Sequence, residues 1–208
     1  MKTIVQEAPL PAGPATDISA VAALVREARD GSRSAFGRLY ELHARMVHGI
    51  LLARVPRIEV DDLVQEVFLL ALKQLNTLRE PAAFGGWLAQ IARNRAVDFH
   101  RRTRSAGELL TDPAEMESGA GARAGMERSP RAALLASDAS QAEAEAALAA
   151  VRALPEAYHE TLVLRLVEGM TGPEIAARTG LTPASVRVNL HRGMKLLREA
   201  LGKVADHE

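Results

Sequence analysis

Cysteine is absent from the 208 residues, so no disulfide or thiolate metal site can form, and a reducing compartment is permitted. No apolar run approaches the roughly 20 residues a membrane-spanning helix needs. The opening stretch, MKTIVQEAPLPAGPATD, has three prolines and no long apolar core of the signal-peptide kind. These absences predict a cytoplasmic protein without direct membrane insertion and with a disordered leader over residues 1–17. Catalytic parts are missing too: there is no Gly-rich phosphate loop, no nucleophile motif and no metal-ligand pair at helical spacing. The six histidines are scattered, and Asp61 and Asp62 would point about 100° apart on a helix. The expectation is a protein that is not an enzyme and holds neither cofactor nor metal.

Net charge is lacking as well, with 26 basic side chains against 26 acidic ones. The distribution is uneven. Residues 1–105 carry 15 Lys and Arg against 11 Asp and Glu, residues 106–150 carry 3 against 8, and residues 151–208 carry 8 against 7. Two basic or neutral ends flank an acidic middle, which suggests separate jobs. No strand pattern competes anywhere with helical periodicity. The reading is an all-α chain of two small helical domains, over residues 18–104 and 138–205, joined by an acidic flexible linker over 105–137.

The most legible stretch runs from Thr171 to Leu201. Pro173 sits in a first turn, a short helix follows through Arg178, and Gly180 occupies a place where positive φ is cheap. Thr182 then supplies an N-cap hydroxyl and Pro183 opens a second helix. This is helix-turn-helix grammar, in which the second helix enters a DNA major groove. On that helix Val186, Leu190, Gly193, Leu197 and Leu201 share one face. The opposite face carries Ala184, Ser185, Val188, His191, Arg192 and Lys195, flanked by Arg187 and Arg198. Short side chains at its start let the backbone approach base edges, and the cations beyond can reach phosphates.

Upstream, helices are expected from Ile18 to Arg29, from Ser34 to about Arg54, from Val60 to Leu75 and from Phe84 to Arg102, with a loop from Asn76 to Ala83. The third has an apolar face of Leu63, Val64, Val67, Phe68, Leu70 and Ala71. Its other side carries Asp62, Gln65, Glu66 and Leu69, a leucine among carboxylates that a purely solvated face would not need. The fourth carries Trp87, Gln90, Asn94, Asp98 and Arg101 beside its apolar face, with Arg93, Arg95, Arg102 and Arg104 crowding its end. Cations suit a helix C-terminus electrostatically, and a tryptophan packs readily into a core. The same set also suits stacking on bases and tracking phosphates. In the second domain, helices are expected from Asp138 to Ala153 and from Glu156 to Glu168, the latter presenting Tyr158, Leu162 and Leu166. These residues by themselves support DNA binding through the helix-turn-helix, and leave open whether it serves transcription initiation, a helix-turn-helix regulator acting without polymerase, or an adaptor.

The strings AFGRLYELHARMV, DDLVQEVFLLAL and FGGWLAQIARNRAVDFHRR, followed after a gap by LPEAYHETLVLRLVEGMTGPEIAARTGLTPASVRVNLHRGMKLLREAL, resemble successive regions of bacterial sigma factors of the extracytoplasmic-function (ECF) group. That group keeps only sigma domains two and four. The resemblance covers roughly residues 30–104 and 140–201 and implies core RNA polymerase and promoter DNA as partners. It implies that Asp62, Gln65, Glu66 and Leu69 dock on the clamp helices of the largest polymerase subunits, and that the second domain meets the flap. It places Trp87, Arg93, Asn94 and Arg101 along the melting minus-ten element, where capturing a flipped base gives both opening and selectivity. It assigns the minus-thirty-five element to Ser185, Arg187, Val188 and Arg192, with His191, Lys195 and Arg198 on phosphates. An anti-sigma factor, often membrane-bound in the family, is the implied regulator. The recognition helix ASVRVNLHRG is unlike the family's usual set, and Gly85–Gly86 loosens the start of the fourth helix.

Overall fold

The computed structural model describes residues 18–109 and 145–205. The expected leader and most of the expected linker lie outside the described residues. Among the described residues there is no strand, and the elements form two small helical domains. The first contains α1 (Ile18–Arg29), α2 (Arg33–Leu52), α3 (Val60–Gln74) and α4 (Phe84–Leu109). The second contains α5, described over residues 145–152, then α6 (Glu156–Leu166), α7 (Gly172–Thr179) and α8 (Pro183–Ala205).

Local chemistry sets the boundaries. Gly31 takes φ 96 between α1 and α2, and the Ser32 hydroxyl caps α2 by accepting from the Ala35 amide at 3.2 Å. After α2, Pro56 opens a short 3-10 turn, Arg57–Glu59, that leads into α3. The expected loop over Asn76–Ala83 contains two more such turns, Leu75–Thr77 and Pro81–Ala83. Arg29 of α1 pins it by donating to the carbonyls of Leu75 (3.2 Å) and Leu78. The fourth helix does not end at Arg102 but continues to Leu109, because Thr103 to Glu108 contain no proline to stop it and the next one is Pro113.

The core of the first domain is the set of side chains the helical spacing brings inward. Val25, Leu39, Met46, Val47, Ile50, Leu51, Val67, Phe84 and Leu88 are fully buried, each contributing about 1.5–3 kcal/mol of transfer free energy for the larger side chains. Tyr40 departs from expectation: it is exposed at the rim, with its ring 4.5 Å from that of Phe68. In the second domain Leu162, Val163, Leu164, Ile175 and Val186 form the buried centre. Leu166 also departs from expectation, because it ends α6 beyond that centre and is exposed.

The helix-turn-helix forms as its sequence dictates. Thr171 and Glu174 make a reciprocal capping box: the Glu174 amide donates to the Thr171 hydroxyl (3.4 Å), and Glu174 accepts from the Thr171 amide (2.8 Å). Gly180 ends α7 in the left-handed region at φ 75. The Thr182 hydroxyl then accepts from the Ser185 amide at 3.1 Å and starts α8. Gly193 has a packing reason: a Cβ there would lie 3.1 Å from Leu162, so its absence lets α8 cross closely over α6.

Candidate nucleic-acid and polymerase interfaces

Three exposed faces gather the residues singled out by sequence. The first is on α8. Val186 is buried and Leu190 half-buried against α7, which turns Ser185, Arg187, Val188, His191, Arg192, Lys195 and Arg198 to solvent together. Glu199 lies beside them, its oxygen 3.9 Å from the Lys195 ammonium. Val188 is 44% exposed although apolar, which suits contact with a base methyl. The Ser185 hydroxyl is engaged with that of Thr182 at 2.8 Å. Asn189, on the edge of this face, donates to the Ala157 carbonyl at 3.2 Å and fixes α8 against α6.

The second face is on α3. Asp62, Gln65 and Leu69 are exposed, with Leu69 at 58%, and Asp61 and Asp62 favour the helix N-terminus electrostatically. Glu66 is half-buried and already engaged by Arg95, which lies across on α4. Leu72, one turn on from Leu69 and 47% exposed, widens the apolar part of the face. Sequence reasoning missed Leu72, although its i+3 spacing from Leu69 was a usable signal.

The third face is on α4, which carries two adjacent stripes. Trp87, Gln90, Asn94 and Arg101 follow one line. Gln90 donates to Asn94 at 2.9 Å, and Arg101 donates to Asp98 at 3.1 Å while staying largely exposed. Trp87 is half-buried, its ring centre 5.9 Å from that of Phe84, so it is at once packed against the core and open at an edge. Arg93 belongs to the neighbouring stripe with Gly86 and Val97, which faces the second domain. Its guanidinium donates to Glu160 of α6 at 3.0 and 2.7 Å and to the Thr179 carbonyl at 3.3 Å. Trp87, Asn94 and Arg101 thus share a surface, and Arg93 does not join it in this arrangement.

Glu160 was not singled out by sequence. It is 6% exposed and accepts from Arg93 and also from Arg54 of α2 at 3.0 Å. Burial alone would raise its carboxyl, but the hydrogen bonds and charges of Arg93 and Arg54 outweigh that and hold it below the usual carboxylate range. The available signal was its spacing: Glu160 lies four residues before Leu164, a carboxylate in line with a buried leucine. Among the described residues, no group of histidines and carboxylates could hold a metal ion, and no helix is long and apolar enough to cross a membrane.

Comparison with known proteins agrees with this geometry. Residues 39–106 match Sigma-70 region 2, and residues 144–197 match Sigma-70, region 4. The chain is 31% identical over 193 residues to the ECF RNA polymerase sigma factor BldN of Streptomyces coelicolor, covering 89% of this chain and 67% of that protein. It is 33% identical over 180 residues to the RNA polymerase sigma factor CarQ of Myxococcus xanthus, covering 85% and 94%. The fold is similar to that of CnrH, solved in complex with the cytosolic domain of CnrY. The TM-score is 0.59 at 24% identity, over 88% of this chain and 98% of that one. With both regions matched in order and relatives at this identity and coverage, the chain belongs to the ECF RNA polymerase sigma factors, the subunits that direct transcription initiation to promoters.

Proposed function

We propose that the three faces divide the work of initiation in the cytoplasm. The α3 face, with Asp62, Gln65, Glu66 and Leu69, docks on the clamp helices of core RNA polymerase, and Leu72 extends its apolar anchor. Desolvating two leucines inside an acidic rim gives affinity from the centre and orientation from the edge. The α4 stripe of Trp87, Asn94 and Arg101, joined by Arg93, holds the non-template strand of the minus-ten element. An aromatic edge beside amides and a cation can stack a flipped base and hold its phosphate. The α8 face reads the minus-thirty-five element, with Arg187, Val188 and Arg192 nearest base edges and His191, Lys195 and Arg198 on phosphates. Ser185 contributes there only by exchanging its bond with Thr182.

The observation that carries this reading is the outward turn of every α8 residue in the set from a helix whose other side is locked to α6 and α7. The second domain also meets the polymerase flap, which fixes the spacing of the two promoter elements. A regulator of the anti-sigma type accounts for control, as CnrH has a cytosolic partner in CnrY. None of these roles asks the chain to catalyse a reaction. The test is sequencing of transcript starts after overexpression. A shared pair of upstream elements at fixed spacing is expected, and starts scattered without common elements would defeat the proposal.

A further inference from the structure

Val188 carries no polar group, yet α8 sets it in water among Ser185, Arg187, His191 and Arg192, all of them exposed. Among the described residues it is the one large apolar side chain that α8 leaves exposed. A single valine on a surface is ordinary. This one is distinguished by its company and by how firmly it is held. Ala184, one turn before it, is exposed as well, so the two make a short apolar strip through a face that is otherwise polar and cationic.

The strip cannot easily turn away. Val186 is 1% exposed in the domain core, and Asn189 donates to the Ala157 carbonyl of α6 at 3.2 Å, so the rotation of α8 about its own axis is set. Two residues past Val186, Val188 is turned about 200° from it. A β-branched side chain in a helix has one strongly preferred χ1, which gives the two methyl groups of Val188 a single bearing. The long cationic side chains around it lose far more freedom when they settle on DNA. Ser185, on the same side, is tied back to the Thr182 hydroxyl at 2.8 Å, which leaves the strip to Ala184 and Val188.

At the floor of a major groove only thymine offers an apolar group, its 5-methyl; the other base edges present donors and acceptors alone. Valine has nothing to pair with them. Pressed against a cytosine amino group or a purine edge, it would dry a polar group without replacing its water, whereas against a thymine methyl both partners leave water with profit. We infer that Val188, backed by Ala184, selects a thymine in the upstream promoter element through its 5-methyl group. The inference rests on the assignment of α8 to that element. His191, Lys195 and Arg198 on phosphates supply affinity that is blind to sequence, and the strip supplies choice.

The test uses the full-length chain on core RNA polymerase and its promoter, with each thymine of the upstream element, on either strand, replaced in turn by deoxyuridine. Deoxyuridine keeps every hydrogen-bonding group and lacks only the methyl. One position is expected to lose about fourfold in binding, the worth of one buried methyl group. At that position cytosine should bind more weakly still, and 5-methylcytosine should recover part of the loss. Val188→Ala, at an exposed site and with an unchanged melting curve, should bind the unaltered promoter several-fold more weakly and show no further loss with deoxyuridine. Binding that ignores every thymine methyl, or a methyl effect that persists undiminished in Val188→Ala, overturns the inference. A promoter with its whole upstream element scrambled separates the two ideas. If the native protein on core enzyme binds it as well as the original, the assignment of α8 falls; if it needs the element yet ignores the methyls, that assignment stands and only the role of Val188 is lost.

Discussion

Removing the charge-forming ability of His43 should flatten the acid sensitivity of this protein. His43 is 2% exposed on α2; its Nδ1 is 3.0 Å from the Leu39 carbonyl, and its ring lies edge-on to Phe84 with centres 5.1 Å apart. Burial lowers its pKa from an ordinary 6.5 to about 4, against the bond to Leu39, and the positive charge of Arg178 adds to the lowering. The unfolded chain therefore takes up the proton first. Full stability holds above about pH 6.5 and falls as pH drops toward 4, beneath which the folded form protonates as well and this loss stops. A change of that size amounts to about 3 kcal/mol. The assays are an NMR titration of the histidine ring protons and urea unfolding between pH 7 and 4.5, on the native sequence and on His43→Leu, which keeps apolar bulk. The native protein should lose roughly 2.4 kcal/mol more than the variant over that range, the remainder of the change lying below pH 4.5. A His43 resonance titrating near 6.5, or parallel pH profiles for the two proteins, would refute the reasoning.

Other consequences are equally open to measurement. The hydrogen bond and charge of Glu168 raise the His48 pKa against its partial burial, with Asp61 adding and Arg57 opposing; Arg45 is also on Glu168. His48 should support its contact with Glu168 fully below about pH 6.5 and less as pH rises through its raised value, and His48→Gln should remove that slope from the urea-unfolding stability. Leu69→Ala combined with Asp62→Lys should abolish binding to core polymerase with an unchanged melting curve; unaltered binding would count against the α3 face. This pair is preferable to one including Glu66, whose loss would strip Arg95 of its partner. Arg192→Ala should weaken use of the upstream promoter element by about 1–3 kcal/mol if it bonds a base in two places. A loss equal across all promoter sequences would mark it as a phosphate contact.

What the sequence disclosed follows from how local each cause is. The capping box of Thr171 and Glu174, the φ 75 turn at Gly180 and the start at Pro183 lie within a few residues of what they organise, so the helix-turn-helix was legible. Periodicity sufficed for the inward faces of α2 and α3, and failed at rims such as Tyr40 and Leu166, where burial depends on a neighbour's reach. The overrun of α4 to Leu109 shows how little a helix end is fixed without a proline or capping glycine. The contact between the two domains was illegible for a different reason. Arg93 and Glu160 are 67 residues apart and Arg45 and Glu168 are 123 apart, and neither pair leaves a trace in local spacing. Gly85–Gly86 was visible as a weakness in a helix start, and its purpose appears only once α7 lies against it.

The central claim concerns association with RNA polymerase through α3, and one measurement addresses it directly: gel filtration or anisotropy of the purified full-length chain with core enzyme at moderate salt, without any inhibitor. The account predicts a stoichiometric complex that initiates RNA from a promoter carrying both elements. A chain that binds promoter DNA through α8 yet never joins the core enzyme would contradict it.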